Sequence, residues 1–281
     1  MALNDVESIR EIPDAMERLK AAHHAIDTKQ EQINQLAVVR RNAIEDCIAA
    51  GVTPVKISDA IGISRSRVSQ LRSAGTKPER LFLGSGQLTI AIGGKPEQGR
   101  TDDASKFVVS KEALSAFEVL ADTARSLGLD AVSETVPPPG LVDLNRPNLI
   151  VLCSPRLLPF IGQVLAADPH LGFQEDQKGW FLLDKTSGVE HRSPRDANVN
   201  ADCAYIGRLP RPDGQGTFLY LAGIHAEGTL GAAHWLAANL HDLHKELKVK
   251  RFSTLVSAEF DPKSGSIMDV ERLTPIYRQD A

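Results

Sequence analysis

The run TPVKISDAIGISRSRVSQLRSAG, residues 53–75, restricts the local fold more than any other stretch of the chain. Thr53 suits a helix N-cap, and Pro54 suits the first helical position, whose N–H has no intrahelical partner. Ile57 and Ile61 are four residues apart and share a helix face. Gly62 follows at once, where a left-handed residue ends a helix at little cost. Ile63 then drops into a shared core, Ser64 caps a second helix, and Val68 and Leu71 form that helix's inner face. The outer face holds Arg65, Ser66, Arg67, Ser69, Gln70 and Arg72. Arginine reads guanine bidentately, glutamine reads adenine, and serine serves bases or phosphates.

Within this run, ISDAIGISRSRVSQLRSAG resembles the helix-turn-helix of transcriptional regulators, and GISRSRVSQL is similar to the sigma-factor region 4 type. Ser58 stands where that family usually has alanine, and it is still small enough for close helix packing. The resemblance covers this run alone. It implies a DNA-binding unit over residues 54–74 whose second helix enters the major groove of double-stranded DNA. Lys56, Ser64, Arg65, Ser66, Arg67, Ser69, Gln70 and Arg72 would then face the duplex. The competing reading is a plain helical hairpin with a solvated face. Such a face more often carries glutamate–lysine pairs than short polar residues alternating with arginines.

The charge distribution agrees with a local reader. The net charge is −4, yet from Lys56 to Arg80 the cations Lys56, Arg65, Arg67, Arg72, Lys77 and Arg80 meet only Asp59 and Glu79. A basic face on an acidic protein fits specific DNA binding with limited non-specific affinity.

Residues from about Pro13 to Ala50 read as one or two long helices ending at Gly51. Ile26, Ile33, Leu36, Val39, Ala43, Ile44, Cys47 and Ile48 recur at three- and four-residue steps as one apolar stripe. The last turns would support the reader. The earlier turns, around Met16 to Gln35, need another partner: a second copy, giving a homodimer or higher homo-oligomer, or the chain's own C-terminal domain. Cys47, Cys153 and Cys203 are far apart with no CxxC, which fits a reducing cytoplasm and shows no zinc pattern. The start MALNDVESIREI lacks a signal-peptide pattern, and no run of eighteen apolar residues exists, so no membrane partner is expected.

At 281 residues and 42% apolar composition the chain is long enough for two cores. Gly75 and Pro78 mark a linker, so a helical domain over residues 1–77 precedes an α/β domain over 78–281. Leu88 to Ile92 reads as a buried strand turning at Gly93–Gly94, and Ser110 caps a helix that runs to Leu127 and stops at Gly128. Ala131 to Thr135 reads as a strand, Asn148 to Cys153 as a central one, and Leu157 to Ala167 as a helix. Trp180 to Asp184 and Val189 to Arg192 look like an exposed hairpin. Ala204 to Leu209 and Thr217 to Ala222 follow as strands, then a long helix from Thr229 to Leu247. A hairpin of Phe252 to Phe260 and Ile267 to Leu273 closes the chain, so the expected sheet is of mixed direction.

Open α/β sheets bind ligands beyond the carboxyl ends of their strands. Three such ends carry small, polar or cationic residues: Gly93, Gly94 and Lys95, with Arg100 soon after; Ser154 and Arg156 after Cys153; and His225, Glu227, Gly228 and Thr229 leading into a helix. Glycines allow close backbone approach, and free N–H groups at a helix start favour an anion. If the three ends are neighbours, they form a pocket for a small anionic or nucleotide-like ligand; otherwise the glycines merely turn the chain. GIHAEGT lacks the P-loop lysine, and no GxGxxG occurs, so no cofactor is expected. His225 with Glu227 is a candidate acid/base pair, Cys153 a candidate nucleophile or buried structural thiol, and His241 with His244 a weak metal pair without carboxylate company. The chain reads as a cytoplasmic DNA-binding regulator with a sensing or assembling α/β domain. The alternative is a nucleotide- or sugar-processing enzyme targeted by its helical domain.

Overall fold

The computed structural model describes residues 6–73, 78–84, 87–97 and 107–279. Gly75, Lys77 and Arg100 lie outside the described residues, and of Gln70 and Arg72 only the backbone is described. The chain divides by its internal contacts into Met1–Pro78 and Glu79–Ala281. Among the described residues no helix is long and apolar enough to cross a membrane.

The first unit holds α1 (Val6–Arg10), α2 (Ala15–Ala49), α3 (Pro54–Ile61) and α4 (Arg65–Ser73). The caps are local. Asp14 accepts the Glu17 N–H at 2.8 Å to start α2, and Thr53 accepts the Lys56 N–H at 3.4 Å to start α3. Gly62 takes the left-handed conformation, φ 69°, and Ser64 Oγ accepts the Arg67 N–H at 3.1 Å to start α4. Ile44 of α2, Ile57 of α3 and Val68 of α4 form the buried centre, with Ile48, Val52, Ile63 and Leu71 packed around it. Ile61 departs from expectation, at 48% exposed against 6% for Ile57. The chain turns at Gly62 immediately after it, and Ile63 takes the inner place instead. α1, absent from the sequence reading, packs back on α2, where Ile9 and Ala25 are buried.

The second unit runs α5 (Arg80–Leu83), β1 (Leu88–Gly93), β2 (Lys95–Pro96), β3 (Phe107–Val108), α6 (Lys111–Ser126), β4 (Ala131–Val136), β5 (Leu149–Leu152) and α7 (Ile161–Leu165). It continues with β6 (Leu171–Asp176), β7 (Gly179–Asp184), β8 (Val189–Arg192), a 3₁₀ turn (Pro194–Ala197), β9 (Ala201–Pro210) and β10 (Thr217–Gly223). α8 (Ala226–Leu247), β11 (Phe252–Phe260), β12 (Ile267–Arg272) and β13 (Tyr277–Arg278) complete it. The main sheet has the order β12-β11-β9-β10-β5-β1-β4, with β13 also on β11. β4, β1, β5 and β10 are mutually parallel; β9, β12 and β13 enter antiparallel to their neighbours. The sheet is mixed, as the strand–helix alternation with a hairpin tail predicts.

β1 and β5 read as unbroken apolar runs because both faces of the sheet are covered. Ile90, Ile92, Ile150 and Leu152 face the layer of α6 and α8, together with Phe82 of α5. Ala91, Leu149 and Val151 face α7 and the small sheet β6-β7-β8. That small sheet corrects the expected exposed hairpin: β6 adds a third strand, and Phe181 and Leu182 are buried. The helix expected over Leu157–Ala167 shrinks to α7, because Pro159 interrupts the backbone and Leu158 is used to plug the core. Arg208 sits over the Phe82 ring at 4.5 Å and donates to the Phe82 carbonyl, which ties α5 to the sheet.

Candidate functional site

Two surfaces carry the residues singled out by the sequence. On α4, Val68 is 1% exposed and seats the helix against Ile44 and Ile57. Arg65, Ser66, Arg67 and Ser69 are all exposed, with Ser66 turned away from Val68 and Arg65, Arg67 and Ser69 on the flanks by helical spacing, and Lys56 of α3 is exposed as well. Ser64 is exposed but committed, since its Oγ both caps α4 and shares a 2.9 Å hydrogen bond with Ser66 Oγ.

The second surface follows from sheet order. β5 lies between β1 and β10, and the three are parallel. Their carboxyl ends are therefore side by side. The chain leaves β1 through α6 towards β4 at the sheet edge, whereas after β5 it builds the other side of the sheet. α6 and α7, which follow these two strands, cover opposite faces. The crevice between the ends of β1 and β5 is thus a topological switch point, where α/β sheets accept ligands.

A cavity of about 280 Å³ occupies that crevice. β1 and its continuation contribute Gly93 and Lys95; β5 and its loop contribute Leu152, Cys153, Ser154, Arg156 and Leu157. Ser110 and Ala113 of the α6 start and His225, Ala226 and Thr229 of the α8 start complete the wall. Arg156 is exposed but held, donating from one terminal nitrogen to the Ile224 carbonyl at 2.8 Å and from Nε to Ser154 Oγ at 3.4 Å. Its guanidinium therefore bridges the ends of β5 and β10. Tyr220 of β10 donates to the Cys153 carbonyl at 2.7 Å and fixes the same edge from below. No carboxylate is among the described residues that line the cavity.

Of the residues proposed from sequence, Gly93, Lys95, Ser154, Arg156, His225 and Thr229 line this one cavity. Gly94, Glu227 and Gly228 do not. Gly94 instead gives room to the Phe107 ring, since a Cβ there would come within 2.5 Å of it. The expectation of a His225–Glu227 pair is corrected. His225 Nε2 is 2.8 Å from Asp196 Oδ1, and Glu227 is engaged by Arg195. Both partners come from the 3₁₀ turn before β9, so long-range packing separates two residues that are close in sequence. The Cys153 thiol is buried at the cavity wall. Burial pushes it up to about 12, against the opposing pull of Lys95 and Arg156, so it stays protonated near neutrality.

The helix start is also corrected. α8 begins at Ala226, three residues before the expected Thr229, so Glu227, Gly228 and Thr229 form its first turn. The reason is Asp202 of β9, fully buried, whose Oδ2 accepts the N–H groups of both His225 and Gly228 at 2.8 Å. The acceptor at this helix start is a side chain of the protein itself, and these two N–H groups are not open to a ligand. Thr229 turns inward and its Oγ1 accepts the Gly223 N–H at 2.9 Å. Sequence reasoning missed Asp202 because nothing local marks a cap supplied from a neighbouring strand.

His241 does not pair with His244. Its Nδ1 is 2.9 Å from Glu79 Oε1, while His244 is buried, and burial lowers its pKa. No group of three or more potential metal ligands occurs among the described residues. No protein-family model, curated protein or solved structure matches this chain.

Proposed function

We propose that the chain is a sequence-specific DNA-binding transcriptional regulator whose second unit senses a small anionic ligand. The observation that carries the DNA reading is the two-sided character of α4. Val68 is sunk between α2 and α3, while Arg65, Ser66, Arg67 and Ser69 stand exposed around the rest of the helix. A helix so held, short polar and cationic on its outer face, suits a major groove, with bases read by Arg65 and Gln70 and phosphates by Lys56 and Arg72. The sensing half of the reading is supported by the cationic crevice at the switch point. Ligand control would require unequal ligand affinity for two states of the chain.

Two copies pair in this reading through α2. Leu19, Ile26 and Ile33 recur at seven-residue steps and are between 58% and 63% exposed, and Leu36 extends the stripe at 66%. Seven-residue spacing is the pattern of a helix that supercoils against another helix, and paired readers match two half-sites.

The test is selection of duplexes from a random library by the purified full chain, at low and at physiological ionic strength. An enriched site with two half-sites supports the proposal. A chain that ignores duplex DNA even at low ionic strength sinks it.

A further inference from the structure

We propose that the crevice between the ends of β1 and β5 binds a phosphomonoester, with the phosphoryl group held between Lys95 and Arg156. This sharpens the sensor reading of the second unit and rests on it. Three observations carry it. Lys95 and Arg156 line the same cavity from two adjacent strand ends, together with Cys153. Two cations on one cavity with no carboxylate among its described lining residues are best balanced by a dianion, and a phosphomonoester carries about −1.5 to −2 near neutral pH. A lone carboxylate would leave one cation uncompensated.

Arg156 is oriented before any ligand arrives. Its bonds to the Ile224 carbonyl and Ser154 Oγ use two of its five N–H donors and hold the guanidinium plane. A planar fork held in this way pairs with two phosphoryl oxygens, while lysine supplies a point charge. The rest of the cavity suits a compact organic group. Leu152, Leu157 and Ala113 supply an apolar wall, and Ser110 and His225 supply polar groups for hydroxyls or ring nitrogens. At about 280 Å³ the space falls just below the usual range of ligand pockets, roughly 300 to 1,000 Å³. That is room for a compact phosphomonoester such as a sugar phosphate or a mononucleotide.

The experiment is isothermal titration of the full chain with ribose 5-phosphate, adenosine 5′-monophosphate, inorganic phosphate, ribose and succinate. The expected result is saturable binding of at least one phosphomonoester and none of ribose. The two phosphomonoesters differ in whether a base is required. Lys95→Ala and Arg156→Ala, both at exposed positions, should each raise Kd about 10- to 100-fold, the effect of losing one charge-assisted contact. Arg156→Lys should recover only part of the loss, and unchanged circular dichroism and melting show that the variants fold. The proposal is overturned if no phosphomonoester binds, if succinate binds as tightly, or if the double alanine variant binds like the parent. DNA affinity measured with and without the bound phosphomonoester separates the two ideas. Unchanged DNA affinity with intact ligand binding sinks the sensor reading and leaves the site standing.

Discussion

Asp202 Oδ2 accepts the Gly228 N–H at 2.8 Å across 26 residues of sequence, so a buried carboxylate on β9 caps α8. The same oxygen takes the His225 N–H at 2.8 Å, which fixes the residue that walls one side of the crevice. The strand-to-helix turn beside the candidate site therefore depends on a side chain from another element.

Asp202→Ala leaves the buried Gly228 N–H and the part-buried His225 N–H without this acceptor, and should cost about 1–3 kcal/mol in urea unfolding. Gly228→Ala should act in the same direction, since a Cβ there would stand 2.3 Å from the Asp202 carboxylate. Two variants as stable as the parent would remove the cap from the account.

The Asp202 cap also has a pH signature. Burial raises the Asp202 carboxyl above the usual carboxylate range, against the lowering effect of Ser193 and the His225 and Gly228 N–H groups. A folded pKa above the unfolded one means that the folded state binds more protons in that interval. Its contribution to stability is then full below the unfolded value and is lost as pH rises through the folded one. Asp202→Asn keeps an acceptor and should flatten this decline in denaturation midpoints taken from pH 4 upwards. An unchanged profile would show that the carboxyl does not titrate there.

Gly223→Ala should be among the most damaging single-methyl changes. Its Cβ would meet the His225 carbonyl at 2.2 Å and the Thr229 N at 2.5 Å, both backbone atoms that cannot swing away. Overpacking of this kind costs typically about 1–3 kcal/mol. Thermal unfolding and binding in the crevice should both suffer; retention of both would mean that the turn has slack.

On α4, Arg65→Ala or Gln70→Ala should cost about 1–3 kcal/mol on the selected duplex and relax preference at one base pair. Lys56→Ala should weaken all sequences alike and lower the salt slope by about one. Binding to single-base operator variants across a salt series distinguishes the two behaviours, and equal discrimination in all three variants would remove base reading from α4.

Ile26→Glu with Ile33→Glu should turn a dimer of the full chain into a monomer with unchanged helix content, by sedimentation and circular dichroism. The parent chain remaining monomeric at tens of micromolar, or the double variant remaining dimeric, would exclude pairing through α2.

Much of the architecture could be read from local pattern because its causes are local. Thr53, Gly62 and Ser64 cap and break helices within three or four residues of themselves, and Ser110 accepts the Ala113 N–H in the same way. β1 and β5 announce double burial by their composition alone. By contrast, β6 was invisible, because GFQED shows little apolar alternation and the strand exists by pairing with β7. The short α7 likewise answers to Pro159 and to the plug of Leu158 rather than to its own periodicity.

The same division holds at the site. Residue chemistry at each strand end, Lys95, Arg156 and His225, was determined by the sequence, since glycine, cation and hydroxyl after an apolar run need no further context. That the three ends adjoin was decided by strand order, which depends on long-range pairing. Whom each side chain serves was decided there too. Glu227 turned to Arg195, His225 to Asp196, and Asp202 took the helix start, because buried and half-buried charges pair with what the fold brings nearest, not with what precedes them in the chain.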